Sequence, residues 1–497
     1  MTWDRESCQL KIQDEGRGRR LIVASNREPY VHQKGVGDKV WVRPAGGLIT
    51  TLDPLMQAVR GTWIAWGSGS LDRKFSDADG KVLVPPDNPS YTLKRLWLTP
   101  EEVEGHYYGY SNRALWPLCH ILVERAQFKQ SFWKYYHRVN EHFARSILEE
   151  IEAEGDEAIV WLQDYHLALC PKMIKEKSPS TFVSIFWHIP WPSHDVIRIC
   201  PQRREIIEGL LGCDLIGFQT QTFAKNFLEC ARIELDAEVD FDDGSILVGG
   251  CRVKVRPFPI SIDYDWFERE ASSPKTTKLV KSLITRFGLK GKKIGLGVDR
   301  LDYTKGIPER LRALDLFFEK YPEYIGRFNF IQIAVPSRTH ISDYRRLKRE
   351  VERVVTAINE KYGREDWRPI KFIDEGVDQE TLTAYYRMAD LGIISSLHDG
   401  MNLIGKEYAA CQVEEKGALL LSELAGVFSE MEGCIPINPF DTEGFADAIR
   451  AGLEMEPEER RARIQMMRAH VRENNIYKWM ASIFTEIGKS LRPPSSP

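Results

Sequence analysis

The sequence predicts an α/β fold that occurs twice along the chain, and several features of its 497 residues indicate this. Short apolar runs recur in two series, and most are apolar throughout, which is typical of parallel strands covered on both faces. Helical patterns separate many of these runs, for example in 308–321 and 342–363. A chain of this length also exceeds what a single hydrophobic core usually supports. We therefore expect two α/β domains.

The predicted strands fall on either side of one boundary. The first series comprises LIVAS (21–25), TWIAWG (62–67), AIVWLQ (158–163), TFVSIFWH (181–188) and LIGFQT (215–220). The second series comprises KIGLGV (293–298), FNFIQIAV (328–335), IKFIDE (370–375), LGIISS (391–396) and ALLLSE (418–423). The boundary lies within VRPFPISIDYDWFE (255–268), where two close prolines disfavour a continuous helix. Two such domains predict a ligand cleft between them.

The composition narrows the class of protein. A net charge of −4 and a pI near 6.3 argue against a large nucleic-acid-binding surface. The nine cysteines are scattered without a CxxC pair, so we expect no structural zinc and no disulfide framework. The charged residues 1–20 lack the apolar core of a signal peptide, and no apolar run is long enough to span a membrane. These features predict a cytoplasmic protein with a frayed, polar tail at LRPPSSP (491–497).

A first cluster of charge follows the predicted strand KIGLGV, in GVDRLDYTKGIPER (297–310). We expect Arg300 and Lys305 to lie in the loop between this strand and the next helix, where both can approach an anion. An Arg fork with a Lys point charge suits a diphosphate. The helix that starts after Lys305-Gly306 adds partial positive charge at its N-terminus. The alternative is a solvated loop with ordinary surface ion pairs.

A second cluster, LHDGMNLIGKEY (397–408), follows the predicted strand LGIISS. Open α/β sheets bind ligands at the carboxyl ends of such strands. Gly400 allows a tight turn, after which a helix is predicted. The amides of Met401, Asn402 and Leu403 at the start of this helix can point at a phosphate.

Two acids flank that turn. Asp399 stands at the strand end, where it could hold sugar hydroxyls. Glu407 lies one turn into the helix and could accept hydrogen bonds from a vicinal diol, as an acidic residue does for ribose in dinucleotide-binding folds. For either acid taken alone, an N-cap aspartate or a surface glutamate is the simpler interpretation.

Polar residues and glycines also follow strands of the first domain. SNREPY offers Arg27, and AGGL permits close backbone approach at Gly47. WLQDYHL and FWHIPWPS place Asp164 and His188 just past strand ends. The alternative for His188 is a satisfied core histidine, which is the more common fate of a lone His after an apolar run.

Aromatic residues are concentrated in WIAWGSG (63–69) and YYGYSNRALW (107–116). Such residues commonly form platforms that hold sugar rings. Plain core packing explains each tryptophan equally well, so these segments carry weight only together with the charged motifs.

Two other segments resemble parts of known motifs, one for dinucleotide binding and one for phosphatases, but neither matches its motif fully. GLGVDR (295–300) begins like a dinucleotide-binding loop, but Arg300 stands where the third glycine is required. DFDDG (240–244) begins like a phosphatase aspartate motif, but the residues before it make a poor buried strand. Neither a dinucleotide cofactor nor phosphatase chemistry is therefore expected.

The remaining motifs occur together in the order and spacing of one family. SNR, AGGL, YSNxxLWP, the DYHL block, HIPWP, RLDYTKG and DGMNLxxKEY extend over about residues 20–485. The chain resembles the trehalose-6-phosphate synthases, retaining glycosyltransferases of family 20 with the GT-B architecture of two Rossmann-like doubly wound domains facing across a cleft. The resemblance implies an enzyme that transfers glucose from UDP-glucose to glucose 6-phosphate, without a cofactor or a metal.

The resemblance also implies roles for individual residues. The residues implied to bind the acceptor are Arg27, Trp66, Tyr107, Trp116, Asp164 and Arg338. The residues implied to bind the donor are Gly47, His188, Arg300, Lys305, Asp399, Met401, Asn402, Leu403 and Glu407. Those implied to be catalytic are His188, Arg300, Lys305 and Asp399. In this scheme the acceptor phosphate lies between two arginines, and Tyr107 is chosen over Tyr108 from its distance to Trp116.

The family architecture also assigns the segments of the chain. It implies a charged lead at 1–20, an acceptor domain at 21–256 and a nucleotide-sugar domain at 257–470. A helix in 471–497 would pack back on the first domain. No nucleic-acid or membrane partner is implied, and a homo-oligomer is compatible with the pattern.

The sequence departs from the family pattern at Gln163, where His is frequent, and at His398, where Arg is common. We expect the first to change packing behind the site and the second to change the charge beside the donor. REPY (27–30) also occurs in the related glucosylglycerol-phosphate synthases, which leaves glycerol 3-phosphate open as the acceptor. A catalytically silent sugar-phosphate sensor is a further alternative, disfavoured because the charged motifs are all retained.

Overall fold

The structure is a computed structural model that describes residues 3–36, 39–44, 47–153, 158–338 and 340–492. The chain divides into two compact units. Trp3–Pro259 and the C-terminal segment from Tyr477 form the first unit, and Ile260–Ile476 form the second. Most of the predicted frayed tail, residues 493–497, lies outside the described residues.

The strands, in chain order, are β1 Arg20–Arg27, β2 Val31–Val36, β3 Lys39–Val42, β4 Thr62–Trp66, β5 Lys81–Val84, β6 Tyr91–Leu96, β7 Ala158–Gln163, β8 Phe182–Trp187, β9 Leu215–Phe218, β10 Glu238–Asp240, β11 Ser245–Val248, β12 Cys251–Pro257, β13 Lys293–Leu301, β14 Phe328–Pro336, β15 Ile370–Ile373, β16 Leu391–Ile394, β17 Ala418–Ser422 and β18 Ile435–Ile437.

The helices are α1 Arg5–Gly16, α2 Gly47–Val59, α3 Asp72–Phe75, α4 Pro100–Glu102, α5 Trp116–Cys119, α6 Gln130–Ala153, α7 Cys170–Lys175, α8 His194–Ile197, α9 Arg203–Leu210, α10 Gln221–Leu235, α11 Tyr264–Ser272, α12 Pro274–Arg286, α13 Ile307–Lys320, α14 Ser342–Tyr362, α15 Gln379–Met388, α16 Leu403–Cys411, α17 Thr442–Glu454, α18 Pro457–Glu473 and α19 Ile476–Leu491. A π-helix, Val103–Leu115, joins α4 to α5.

The second unit is built on a parallel sheet with the order β15-β14-β13-β16-β17-β18. Numbered within the unit, this order is 3-2-1-4-5-6, the order of the doubly wound Rossmann fold. The strand order reverses between β13 and β16. Ligands of such sheets bind at this switch point, beyond the carboxyl ends of the two strands.

The first unit contains a larger sheet with the order β10-β11-β12-β9-β8-β7-β1-β4-β6-β5. The strands from β12 to β6 run parallel, and antiparallel strands complete both edges. Its parallel part has the same doubly wound order around β1, so its switch point lies between β1 and β7. The predicted α/β class is confirmed in both units.

Each run predicted as a strand overlaps an observed strand. The largest difference concerns β13, which stays paired with β14 as far as Leu301↔Pro336. The expectation that Arg300 lies in a loop is therefore wrong, because Arg300 is the penultimate residue of β13. The strands that sequence reasoning missed are mostly short or lie at sheet edges, such as β10, β5 and β18.

Both ends of the chain belong to the first unit. Helix α1 lies within the predicted charged lead, yet it buries Cys8 and Ile12. Helix α19 packs on the sheet through Trp479, whose ring centroid lies 5.7 Å from that of the buried Trp161. The Trp479 indole also donates to the Phe258 carbonyl at 2.9 Å. Since truncation of a buried Trp costs about 3–5 kcal/mol, this anchor fixes the last helix firmly.

The described part of the chain contains neither a membrane-spanning helix nor a cluster of metal ligands. None of its helices combines the length and the hydropathy that crossing a bilayer requires. Among the same residues, no three or more His, Cys, Asp or Glu side chains are grouped as metal ligands.

Candidate active site

The switch point of the second unit opens where β13 and β16 separate. These strands pair only at Gly295↔Leu391 and Leu296↔Gly392. Beyond that, the segment that leads into α13 lies against β16, and Gly306 has a φ of +62°. A Cβ on Gly306 would lie 2.0 Å from the Ser395 carbonyl oxygen, so only glycine fits. The N-terminus of α13 is thereby held at the crevice.

A fully buried arginine anchors α13 to both strands. Arg310 Nη1 lies 2.6 Å from the Asp299 carboxylate on β13, and its Nε donates to the Ser395 hydroxyl at 3.1 Å. Breaking such a buried pair costs about 3–5 kcal/mol. The position of the α13 N-terminus relative to the strand ends is therefore well defined.

Arg300 and Lys305 present positive charge at this crevice. Arg300 is exposed at the end of β13, and Lys305 lies in a short 3₁₀ turn, Tyr303–Lys305, with its side chain 11% exposed. Lys305 forms an ion pair with the carboxylate of Asp399 from the far side of the crevice. Lys305 is therefore a mostly buried, paired residue rather than part of a solvated loop, and Arg300 is exposed at the end of β13.

Asp399 accepts several hydrogen bonds through one oxygen. Its Oδ2 accepts from Ser396 Oγ at 3.1 Å and from Asn402 Nδ2 at 3.2 Å, in addition to Lys305. Asp399 does not cap the following helix. The cap of α16 is Asn402, which has a φ of +83° and accepts from the Ile404 amide at 3.2 Å. The N-cap interpretation of Asp399 is therefore wrong.

The other predicted groups of this motif lie at the start of α16 as expected. Met401, Asn402 and Leu403 lead directly into the helix. The loop that carries them is fixed from outside, because the Met401 carbonyl accepts from the Val427 amide at 2.9 Å and the Asp399 amide donates to the Leu424 carbonyl at 3.2 Å.

His398, where the sequence departs from the family pattern, contacts the same Leu424 carbonyl as the Asp399 amide. Its ring is hydrogen-bonded to the Leu424 carbonyl, and burial lowers its pKa although Asp399 raises it. His398 therefore helps to hold the 397–402 loop in place as a mostly neutral group. Compared with the arginine that is common at this position, His398 therefore removes a permanent positive charge.

Glu407 is half-buried on α16, so the surface-glutamate interpretation is also wrong. Tyr386 donates its hydroxyl to Glu407 Oε2 at 2.7 Å. Burial raises the pKa of Glu407 to about 7, although the Tyr386 hydrogen bond lowers it. Sequence reasoning missed Tyr386, because a tyrosine on the apolar face of α15 carries no signal of its own.

The switch point of the first unit combines one cation with aromatic rings. Arg27 ends β1, is exposed, and donates to the Tyr107 hydroxyl at 2.7 Å. Trp66 ends β4, remains partly exposed, and its ring centroid lies 6.2 Å from that of Tyr107. This arrangement favours Tyr107 over Tyr108 as the residue that shares a site with Arg27.

Trp116 lies deeper than predicted for a sugar platform. Its side chain is 5% exposed, and its ring packs 4.2 Å from His120 and 6.1 Å from Tyr165, measured between centroids. Tyr107 is equally buried, so contact of Trp116 with the acceptor stays a prediction, whereas Trp66 retains an accessible face.

Asp164 directly follows β7 and has a backbone conformation that is almost restricted to glycine, with φ +73° and ψ 170°. Its amide donates to the Phe186 carbonyl at 2.7 Å. Its Oδ1 accepts from the amides of Tyr165 at 3.0 Å and His188 at 3.2 Å. Strain of this kind costs about 1–3 kcal/mol and is concentrated at functional sites, which supports Asp164 as a site residue.

His188 follows β8 and is held by two glutamines. Its Nε2 lies 3.0 Å from Gln163 Oε1, and its Nδ1 lies 3.4 Å from Gln219 Nε2. Burial lowers the pKa of His188 to about 3. Gln163 thus contacts the candidate site directly, rather than affecting only the packing behind it.

For the two remaining predicted residues, Gly47 and Arg338, the structure gives less information about a site. Gly47 is the first residue of α2, and the preceding Ala45 and Gly46 lie outside the described residues. Arg338 belongs to the second unit, where its Nη1 lies 3.0 Å from Asp302 Oδ2. Since Arg27 belongs to the first unit, a joint contact of both arginines with one phosphate stays a prediction.

The REPY segment is explained by a buried network. Glu28 Oε2 lies 2.7 Å from Arg95 Nε, and Arg95 also contacts Asp72 at 3.2 Å and His32 at 2.8 Å. All four side chains are almost fully buried. Burial and the nearby Asp72 raise the pKa of Glu28 to about 8, although Arg95 lowers it. Glu28 therefore belongs to a buried network in which Arg95 of β6 contacts His32 of β2.

Two Rossmann-like units, with paired cations and carboxylates at the second switch point, define a glycosyltransferase with the GT-B fold. The family model described as glycosyltransferase family 20 matches residues 19–489, and the chain belongs to this family.

Relatives and a solved structure agree with this assignment. The chain is 37% identical over 473 residues to alpha,alpha-trehalose-phosphate synthase [UDP-forming] A of Dictyostelium discoideum, covering 95% of this chain and 63% of that protein. It is 36% identical to the corresponding synthase of Pichia angusta, covering 94% of this chain and 98% of that protein. The fold is also similar to a crystal structure of a UDP-forming alpha,alpha-trehalose-phosphate synthase from Burkholderia xenovorans in complex with glucose-6-phosphate. The TM-score is 0.83 at 29% identity, and the match covers 94% of this chain and 99% of that chain.

Proposed function

We propose that this chain transfers glucose from UDP-glucose to glucose 6-phosphate, giving α,α-trehalose 6-phosphate and UDP with retention of configuration. The observation that carries the proposal is the ion pair between Lys305 and Asp399 across the second switch point, with Arg300 exposed beside it. This arrangement combines cations for a diphosphate with a carboxylate for sugar hydroxyls. The printed names of the relatives, which are UDP-forming synthases, support the same donor.

The second unit would stabilise the leaving group. Glycosyl transfer builds positive charge on the sugar and negative charge on the departing diphosphate. Arg300, Lys305 and the N-terminus of α13 place positive charge where the diphosphate charge develops, which is commonly the largest electrostatic contribution to such a reaction. The amides of Met401–Leu403 would assist at the phosphates.

Asp399 and Glu407 would orient the donor. Asp399 would bind the glucose hydroxyls, and its contacts with Ser396 and Asn402 fix the direction in which it does so. Glu407 would bind the ribose diol, with Tyr386 holding the other side of the carboxylate. In front-face transfer with retention, the leaving phosphate accepts the acceptor's proton, so Asp399 acts by positioning the sugar.

The first unit would bind the acceptor. Arg27 would contact the acceptor phosphate, and Trp66, Tyr107 and Asp164 would hold its sugar ring. Arg338 is proposed as the second phosphate ligand, through guanidinium donors other than the Nη1 that is paired with Asp302. Trp116 would support this surface from below.

Gly47 and His188 would approach the donor near its reacting end. Gly47 is the first residue of α2, so the N-terminus of this helix would lie there. We further infer that the protein works in a reducing compartment such as the cytoplasm, because all nine cysteines, each within the described residues, are unpaired. Assembly into a homo-oligomer remains a prediction from the sequence.

The function is tested by incubating purified protein with UDP-glucose and each of two acceptors, glucose 6-phosphate and glycerol 3-phosphate. We expect saturable UDP release with glucose 6-phosphate and an α,α-linked disaccharide phosphate by NMR. Turnover with glycerol 3-phosphate alone would reassign the acceptor. The absence of acceptor-dependent release with any nucleotide-glucose would leave only the sensor interpretation.

A further inference from the structure

The ring of His188 lies between side chains from the two neighbouring strands. β7, β8 and β9 lie side by side in the first sheet. Gln163 ends β7, whereas His188 and Gln219 directly follow β8 and β9. Gln163 is fully buried and Gln219 is 2% exposed. Each ring nitrogen of His188 therefore faces a neutral, buried carboxamide.

We propose that Gln163 and Gln219 are positioning residues that hold His188 as the neutral tautomer with its proton on Nε2. A carboxamide oxygen can only accept, so Gln163 Oε1 at 3.0 Å requires a proton on His188 Nε2. A carboxamide nitrogen can only donate, so Gln219 Nε2 at 3.4 Å requires a lone pair on His188 Nδ1. With both carboxamides in the orientation that the structure gives them, the two contacts specify the same tautomer.

The same contacts exclude the charged ring. An imidazolium would direct its Nδ1 proton at the Gln219 amide nitrogen, so that two donors would face each other. Burial, which lowers the pKa of His188 to about 3, acts in the same direction. The charged group beside His188, Asp164, accepts from the backbone amide at 3.2 Å and not from the ring. His188 is therefore neutral over the whole working range of pH.

Gln163 is held mainly by this contact. Its Nε2 is buried and finds no hydrogen-bond partner among the described residues. Leaving a buried donor unsatisfied costs about 1–3 kcal/mol. The hydrogen bond between Gln163 Oε1 and His188 therefore offsets the cost of burying a glutamine at this position.

A consequence follows for the reaction. As this neutral tautomer, with its one ring proton donated to Gln163, His188 would act by position rather than by releasing a proton. This rests on the proposed function only in assuming that His188 lies beside the donor sugar. His188, which the family pattern implies to be catalytic, is on this proposal a positioning residue.

The tautomer is measured directly by ¹H–¹⁵N correlation spectra of protein labelled with ¹⁵N at the histidine rings. His188 is assigned by the signal lost in His188→Gln. We expect a protonated nitrogen at Nε2 and an unprotonated one at Nδ1, unchanged between about pH 6 and about pH 8. A proton on Nδ1, or an imidazolium in this range, would overturn the proposal. This measurement stands whether or not the protein transfers glucose.

Two variants at Gln163 connect the tautomer to turnover. Gln163→Leu removes the acceptor, so the single tautomer should give way to a mixture and kcat/KM for the donor should fall about tenfold, as expected for one lost hydrogen bond. Gln163→Glu restores an acceptor oxygen and should recover activity at about pH 8. Its carboxylate favours the imidazolium and raises the His188 pKa, so activity should decline as the pH falls.

Gln202→Leu is the matched control. It removes a half-buried amide that accepts from the Tyr110 hydroxyl at 3.0 Å, without contact to His188. Its His188 spectrum should match that of the unmodified protein. If Gln163→Leu leaves the tautomer unchanged, Gln163 is not a positioning residue; if it fails to fold, the spectrum of Gln163→Glu decides.

Discussion

The switch point between β13 and β16 and the switch point between β1 and β7 occupy equivalent places in two sheets with the same strand order. The switch point of the second unit, between β13 and β16, carries Arg300 and the Lys305–Asp399 ion pair. The switch point of the first unit, between β1 and β7, carries one exposed arginine, Arg27, together with aromatic rings, the neutral His188 and a carboxylate, Asp164, that accepts from backbone amides. One topology therefore serves two different kinds of binding chemistry.

The difference follows from where charge changes during the proposed reaction. A departing diphosphate gains negative charge, and fixed cations stabilise it without reorganisation. A sugar phosphate acceptor keeps the charge of its phosphate, so one or two arginines and hydrogen-bonding groups suffice. In the same unit, His188 lies between two neutral carboxamides, which adds no further charge to the site.

Removing a cation from the second switch point should have the largest effect. We expect Arg300→Ala to lower kcat by two orders of magnitude or more, about 3 kcal/mol, because leaving-group charge is uncovered. The measurement is UDP release at saturating substrates. Arg312→Ala, an exposed arginine of α13 paired with Glu309, is the control and should retain the normal rate. An unimpaired Arg300→Ala would remove the contrast between the two units.

Removing the cation of the first switch point should have a smaller and different effect. Arg27→Ala should raise the KM for glucose 6-phosphate roughly tenfold or more, since a hydrogen bond to a charged group contributes about 1.5–3 kcal/mol. The KM for UDP-glucose should change little. Arg73→Ala, whose guanidinium lies 4.4 Å above the Trp97 ring, removes a comparable exposed arginine from the same unit. A raised donor KM in Arg27→Ala would argue against the division of labour.

The smallest expected effect concerns pH and Glu407. Since the pKa of Glu407 is about 7, its carboxylate is lost as the pH falls through 7, and with it the ribose contact. The KM for UDP-glucose should therefore rise several-fold from about pH 8 to about pH 6. Tyr386→Phe removes a hydrogen bond that lowers this pKa, so the same rise should begin at higher pH.

Tyr321→Phe provides the comparison for this pH profile. Its hydroxyl donates to Asp447 on the exposed surface at 2.6 Å, so the profile should be unaffected. A donor KM that is flat with pH in the unmodified protein would show that Glu407 does not bind the ribose as a carboxylate.

Much of this contrast could be predicted from the sequence. Central parallel strands are apolar on both faces, so runs such as 158–163 and 418–422 stand out. Arg300, Lys305, Asp399 and Glu407 were identifiable because their motifs occur together in the order and spacing of one family, although each acid alone had a simpler structural explanation.

The rest depended on backbone geometry. Arg300 lies in β13 rather than a loop because β14 continues the pairing beyond the apolar run. Asn402 rather than Asp399 caps α16, because the helix begins at Leu403 and the Asn402 carboxamide oxygen accepts from the Ile404 amide. Gln219 and Tyr386 had no signal, since neutral polar residues in strand ends and helices are indistinguishable from ordinary buried positions.

The most direct test of the division of labour is the affinity for UDP alone, measured by isothermal titration calorimetry. We expect Arg300→Ala to weaken UDP binding at least tenfold, by losing a charge-assisted contact, and Arg27→Ala to leave it unchanged. Equal losses in the two variants, or a loss in Arg27→Ala alone, would contradict the account.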